Sequence, residues 1–179
     1  MKKVFFLSAF VLALTAAGFS QSDYKSAIGI KFSSSYFERV GATYKFFVGE
    51  PHGIELGLGV RPNQDFGYLA SSYNTTYLTF SAAYQYHFDI PVDGLRWYVG
   101  GGALGYNAFS SYDGPNKSDY KGFGLGLFPT GGVDYKFAKI PLNLSADIRP
   151  TFIIDGPTYW NSFDANVGVS ARYTIGSRK

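Results

Sequence analysis

Two segments near the carboxyl end of the chain alternate strictly between apolar and polar residues. From Leu142 to Phe152 the even-numbered positions are apolar, and from Phe163 to Ile175 the odd-numbered positions are apolar. Because successive side chains of a β-strand point to opposite faces, each segment has one apolar face and one polar face. The alternation therefore predicts two strands that separate an apolar environment from a polar one.

Six further segments continue this pattern, although glycine blurs it in the fifth and sixth strands. The predicted strands cover residues 25–33, 37–48, 52–62, 76–88, 94–107, 122–137, 141–153 and 163–176. Most exceed the roughly 9–11 residues that a tilted membrane strand needs. The connections after the second, fourth and sixth strands are short, whereas 62–75, 107–121 and 154–162 are longer. Short periplasmic turns and longer extracellular loops are typical of outer-membrane barrels. The pattern predicts an all-β fold, an eight-stranded antiparallel transmembrane up-and-down β-barrel with both termini in the periplasm.

The first 20 residues have the features of a signal peptide. Lys2 and Lys3 precede an uncharged, mostly apolar run, and Gly18 and Ser20 are the small residues that a signal peptidase reads. We expect cleavage near Ser20, which leaves residues 21–179 as one barrel domain. Such a leader predicts export, here to the outer membrane.

Composition excludes several classes of function. Removal of Lys2 and Lys3 lowers the formal net charge from +3 to +1, too little for the concentrated basic surface of a nucleic-acid-binding protein. The chain has no cysteine, so neither a disulfide framework nor a thiol nucleophile is available. The two histidines, His52 and His87, are predicted beside short turns and form neither a catalytic triad nor a metal site. We expect a non-enzymatic protein without a cofactor.

Aromatic residues gather where the predicted strands meet the two surfaces of a membrane, as in other membrane proteins. Those in or beside the outer loops are Tyr68, Tyr73, Tyr77, Phe109, Tyr112, Tyr120, Tyr159 and Trp160, and those near the periplasmic ends are Tyr86, Phe88, Trp97, Tyr135 and Phe137.

With segments such as 53–59 (GIELGLG) and 142–150 (LNLSADIRP), the mature chain resembles the small eight-stranded outer-membrane barrels of Gram-negative bacteria, the OmpA/OmpX-like group. The resemblance implies outer-membrane lipid and the barrel assembly machinery as partners, and a monomeric barrel. Barrels of this group usually end in an aromatic residue that the assembly machinery recognises. Here the nearest aromatic residue to the end of the sequence is Tyr173.

Charged residues of both signs face the predicted interior. Because an eight-stranded barrel is only wide enough for side chains to fill it, buried charges must pair there. The sequence predicts an interior polar plug, although a charged pore lining stays an alternative. The plug residues are Lys31, Lys45, Glu55, Arg61, Asp134, Asp147, Arg149 and Arg172.

Two prolines fall in the middle of predicted strands. If the chain turns tightly at 138–140, Pro129 lies opposite Pro150. Proline cannot donate to a ladder, so the pair predicts either local bulges or a lateral seam in the wall. A seam of this kind resembles the proline-flanked gap of PagP-type acyltransferase barrels, which admits lipid.

Three functions remain open from the sequence. The first is a structural or surface-interaction role, with a polar filled interior and an extracellular partner bound by the loops. The second is a transport barrel that passes small or apolar molecules through the seam at Pro129 and Pro150. The third is a secreted, soluble lipocalin-like barrel, in which the apolar faces would point inward.

Overall fold

The computed structural model describes residues 24–67, 72–111, 121–157 and 162–177, and its regular elements are all β-strands. The signal peptide predicted for residues 1–20 lies outside these residues. The strands are β1 (Tyr24–Ser33), β2 (Val40–Gly49), β3 (His52–Gly67), β4 (Ser72–Asp89), β5 (Leu95–Ser110), β6 (Gly122–Lys136), β7 (Leu142–Ile148), β8 (Thr151–Asp155), β9 (Phe163–Asp164) and β10 (Val167–Ser177). In the described part of the chain, no helix has the length and apolar character needed to cross a membrane.

The strands close into one antiparallel barrel. Each of β1 to β6 pairs with its neighbours in sequence, β6 pairs with β7, β7 with β10, and β10 with β1. Strands β7 and β8 are two halves of one wall strand, and β9 and β10 are two halves of another, because β8 also pairs with both β6 and β9. The predicted fold, a closed eight-stranded antiparallel barrel, is confirmed.

The register around the barrel gives a large stagger. The stagger is found by following paired residues around the barrel from Lys31. Through β2, β3, β4 and β5, the pairs lead from Lys31 to Gly124 of β6. The row that leaves Lys31 in the other direction arrives at Asp134, ten positions further along the same strand. Strand number and stagger together set the tilt and width of a barrel, and eight tilted strands leave an interior that side chains fill.

The outward face of the barrel is apolar. The exposed large hydrophobic residues come from every wall strand, and examples are Ile30, Leu58, Phe80, Leu127 and Val169, each at least half exposed. The buried charged residues all face the interior. This is the arrangement that a lipid environment requires, and it is opposite to the one expected for a lipocalin-like barrel.

Several strand boundaries differ from the predicted ones. Strands β3 and β4 extend the wall beyond the predicted ends to Gly67 and Ser72, because a bulge between Arg61 and Gln64 accommodates Pro62. The second strand begins at Val40 rather than at residue 37, since Phe37 turns inward and is buried.

Candidate functional site in the barrel interior and wall

The barrel has two ends that differ in their connections. The turn end carries the short connections β2–β3, β4–β5 and β6–β7, and the loop end carries the connections β1–β2, β3–β4, β5–β6 and β8–β9. Most of the predicted plug residues lie towards the turn end and the middle of the interior. Three carboxylates there each contact several of the surrounding side chains.

Glu55 on β3 is the centre of the first group. Its carboxylate accepts hydrogen bonds from Arg149 Nη2 at 2.5 Å, from Arg172 Nη2 at 2.7 Å and from Gln85 Nε2 at 3.2 Å. Arg172 also donates to Ser145 Oγ at 2.8 Å. These residues come from β3, β4, β7 and β10 and from the segment after β7, so the group joins opposite walls of the barrel.

Asp134 on β6 is the centre of the second group, nearer the turn end. It accepts hydrogen bonds from Lys45 Nζ at 2.5 Å, from Tyr24 Oη at 2.9 Å and from Asn143 Nδ2. Lys45 lies directly opposite Glu55 in the β2–β3 register, yet its ammonium group pairs across the interior with Asp134.

Asp147 completes the network in the middle of the barrel. Its carboxylate lies 3.1 Å from Lys31 Nζ and 3.0 Å from Arg149 Nη2, and Tyr98 Oη donates to it at 3.3 Å. The network therefore contains four cations and three carboxylates. Fixed opposite charges offset the high cost of holding each ion away from bulk water.

The loop end of the interior is aromatic rather than polar. Phe37, from the loop between β1 and β2, is 1% exposed and stacks on Tyr106 with a centroid distance of 4.4 Å. The rings of Phe37 and Tyr77 meet edge to face, with their centroids 5.6 Å apart. Leu104 and Phe128 belong to the same buried cluster. Only part of the interior is thus filled by polar groups. Tyr77, which the sequence places with the outer belt, is fully buried inside.

Hydrogen bonds hold the β1–β2 loop inside the loop end. Ser33 Oγ donates to Asn166 Oδ1 at 2.7 Å, and Ser35 Oγ donates to Asp164 Oδ2 at 2.6 Å. Arg61, the remaining plug residue, lies at the loop end, where it donates to the Ser35 carbonyl at 2.7 Å. Arg61 therefore fixes the loop that carries the Phe37 side chain.

The two histidines occupy different surfaces of the wall. His52 Nδ1 lies 2.6 Å from Tyr84 Oη on the outside, while His87 is buried inside with Nε2 3.7 Å from Asp134. Within the described residues, no three His, Asp or Glu side chains are grouped in a way that could hold a metal ion. The arrangement of these side chains is suited to filling and cross-linking the interior.

The two prolines face each other in the register that the sequence predicts. Strand β6 pairs with β7 up to Gly131 and Ile148 and resumes with β8 at Leu127 and Phe152. Between these points the ladder is interrupted at Pro129 and Pro150. The wall strand made of β7 and β8 stays paired on its other edge, because the Arg149 N–H donates to the Asn166 carbonyl at 2.8 Å.

With this geometry established, comparisons with known proteins identify the fold. No protein-family model and no curated protein matches the sequence. Among solved structures, the chain is similar to the N-terminal β-barrel domain of Pseudomonas aeruginosa OprF, with 17% identity, a TM-score of 0.56, and coverage of 87% of this chain and 100% of that one. It is also similar to Ail, the attachment invasion locus protein of Yersinia pestis, at 11% identity and a TM-score of 0.51, covering 86% of this chain and 99% of Ail. A major outer membrane protein from Thermus thermophilus matches at 14% identity and a TM-score of 0.51, covering 84% and 99% of the two chains. The chain has the fold of the small eight-stranded outer-membrane barrels.

Several interior residues were not predicted from the sequence. Tyr24, Tyr98 and Asn143 are all buried partners of the network carboxylates. Asn143 and Tyr98 occupy the alternate strand positions whose side chains face the interior. The alternation along each strand could therefore have predicted them. Phe37 carries no such signal, because it belongs to a loop.

Proposed function

We propose that the protein is a non-enzymatic, monomeric outer-membrane barrel with a closed interior, inserted by the barrel assembly machinery, that holds its loops at the cell surface to contact an extracellular partner. The outer-membrane barrels that share its fold support the location. The filled interior supports a structural or surface-interaction role in preference to a pore.

The observation that carries this proposal is the closure of the interior in two layers. The charged network occupies the middle and turn end, with Lys45, Glu55 and Arg172 at most 2% exposed. The aromatic cluster around Phe37 then fills the loop end. An ion that crossed the barrel would have to displace both layers.

Conductance across a planar lipid bilayer tests the closed interior. We expect the purified, reconstituted protein to produce no stable, water-filled channel, while an open porin measured in the same bilayers gives regular steps. Stable single-channel steps comparable to those of the porin would contradict the proposal.

Trypsin treatment of intact cells tests which end faces outward. Lys121, beside the β5–β6 loop, and Lys139, in the β6–β7 turn, are both exposed. We expect cleavage at Lys121 on intact cells and cleavage at Lys139 only after the outer membrane has been permeabilised. The reverse order would place the loops in the periplasm and remove the proposed surface role.

A lateral transport barrel is the second candidate, and the interrupted ladder at Pro129 and Pro150 is the observation that favours it. Passage would require the seam to open and the side chains behind it, Phe128 and Arg149, to move. Amide hydrogen exchange separates the two candidates. A transport barrel predicts faster exchange at Gly131 and Ile148, the pair beside the interruption, than in the neighbouring β4–β5 pair, whereas uniformly slow exchange would contradict it.

A further inference from the structure

His87 is a buried histidine at the turn end of the interior. Its side chain is 2% exposed, and its ring packs against Phe47 and Tyr98, with centroid distances of 4.9 Å and 5.1 Å. Among the described residues, neither Nδ1 nor Nε2 has a hydrogen-bond partner. A neutral ring leaves one donor and one acceptor unsatisfied, whereas a protonated ring would leave two donors and a full charge. The site therefore accommodates the neutral ring better.

Asp134 is the nearest anion, but the oxygen that faces His87 already has two donors. His87 Nε2 lies 3.7 Å from Asp134 Oδ2. The same oxygen accepts hydrogen bonds from Lys45 Nζ at 2.5 Å and from Tyr24 Oη at 2.9 Å. The other carboxylate oxygen, Oδ1, accepts from Asn143 Nδ2. A protonated His87 could therefore bind Asp134 only by displacing one of these donors.

Protonation of His87 would also add a charge to a network that already has more cations than anions. Lys45 and Asp134 neutralise each other beside the ring. The complete interior network has four cations and three carboxylates, so a proton on His87 would bring the cations to five. The charged and titratable groups around His87 and its partners are Tyr24 of β1, Lys45 of β2, Glu55 of β3, Tyr98 of β5, Arg96 of β5 with its partners Asp89 and Glu50, Asp134 of β6 and Arg172 of β10.

Tyr24 connects this cluster to the first strand of the wall. It is the first residue of β1, pairs with Ser177 at the end of β10, and is 5% exposed. Its hydroxyl reaches Asp134 of β6 across the interior, and its ring meets Phe47 edge to face with a centroid distance of 5.3 Å. Of the two donors on Asp134 Oδ2, the phenol is uncharged and forms the weaker bond. Loss of this bond would free the start of β1, where β1 and β10 close the barrel.

We propose that His87 is a pH-sensitive lock on the turn end of the barrel. When it is neutral, it packs between its two aromatic neighbours and leaves Asp134 to Lys45 and Tyr24. When it is protonated, it donates to Asp134 in place of Tyr24, and the beginning of β1 loosens. The lock lies at the end opposite the loops, and it requires neither conduction nor a surface partner.

Histidine chemistry sets the pH range in which the lock acts. Histidine is the one side chain that ordinarily changes charge between about pH 5 and 8, and the chain contains two histidines, His52 and His87. In the unfolded chain His87 takes up a proton as the pH falls through about 6.5, whereas in the folded barrel the same proton lacks a free partner. The unfolded state then binds more protons, so stability is complete above that pH and decreases below it. Paired carboxylates contribute such a loss only below about pH 5.

Urea titrations at about pH 7.5, 6.5 and 5.5 test the lock, with the barrel in detergent micelles. Uptake of one proton raises the unfolding equilibrium constant by up to about tenfold per pH unit, and we expect the wild-type protein to approach this slope below about pH 6.5. His87→Phe keeps an aromatic ring that cannot be protonated, and His87→Gln is a neutral polar replacement; both should lose most of the slope. His52→Phe is the matched control, because His52 lies on the outer face beside Tyr84, and it should keep the slope.

Amide hydrogen exchange shows whether the loosening occurs at β1. The rates for residues 24–27 are divided by those for the β4–β5 pair in the same sample, because exchange itself depends on pH. In the wild-type protein this ratio should rise at least about tenfold between the highest and the lowest pH, as expected for one hydrogen bond to a charged group. Tyr24→Phe removes the phenol that His87 displaces, so its ratio should be high at every pH.

Each variant is first checked for the heat-dependent gel shift of a folded barrel. A wild-type stability that does not change between these pH values would overturn the proposal. An undiminished slope in folded His87→Phe or His87→Gln would also overturn it, and so would an exchange ratio at β1 that is independent of pH.

Discussion

Replacement of Glu55 by glutamine tests the charged network most severely. The substitution keeps the size of the side chain but removes the negative charge that Arg149 and Arg172 contact at 2.5 Å and 2.7 Å. Four cations would then face two carboxylates. Removing one partner of a buried ion pair costs about 3–5 kcal/mol, because the other charge stays buried without compensation. We expect the free energy of unfolding of Glu55→Gln to fall by about this amount.

Urea titration in detergent micelles measures the change, with the folded fraction read from the unheated band on a gel. Glu50→Gln is the matched control, since Glu50 pairs with Arg96 at 3.2 Å while its side chain is 49% exposed. An exposed pair of this kind contributes at most about 1 kcal/mol. If Glu55→Gln destabilised the barrel no more than Glu50→Gln, the network would not be the buried, paired structure described above.

A second substitution distinguishes charge imbalance from lost packing. Arg172→Met in the Glu55→Gln background removes one buried cation together with the missing anion. We expect the double variant to regain part of the lost stability, because the excess of cations returns to one. A strictly additive loss would show that Glu55 and Arg172 are not coupled.

Three further substitutions test the wall and the aromatic cluster in the same titration. Val169→Arg places a charge on the outward face and should cost about 2–4 kcal/mol, whereas Val169→Leu should be nearly neutral; equal stabilities would reverse the assigned faces. Phe37→Ala should cost about 3–5 kcal/mol, because the ring fills the loop end, and a loss below about 1 kcal/mol would show that it does not. Gly100→Ala should give no heat-shifted band, since its Cβ would overlap the Tyr84 carbonyl oxygen, whereas Gly101→Ala, whose Cβ would lie 3.3 Å from its nearest neighbour, should fold.

The alternation of apolar and polar residues was sufficient to predict the number of strands and the faces of most of them. A tight turn at 138–140 also predicted the register of these two strands, which the pairs Gly131–Ile148 and Leu127–Phe152 keep on either side of Pro129 and Pro150. The alternation of side chains sets which face of a strand is apolar, and the turn length sets the register of neighbouring strands. Both depend on residues close together in the sequence, so they can be read from it directly.

The composition of the interior depends on contacts between distant strands, which the sequence pattern does not encode. Lys45 is opposite Glu55 in register, but the stagger of the barrel brings Asp134 closer to its ammonium group. The glycine-rich stretch 100–105 hides the inward parity of Leu104 and Tyr106, so the aromatic loop end was not predicted. Phe37 enters the interior because hydrogen bonds from Ser33 and Ser35 fold its loop, a tertiary effect with no periodic signature.

Envelope fractionation with heated and unheated samples on one gel tests the central claim, a closed barrel with its apolar face in the outer membrane. The account predicts a protein in the outer-membrane fraction that needs detergent for extraction and whose band shifts on boiling. A protein that is soluble without detergent and shows no shift would contradict the claim.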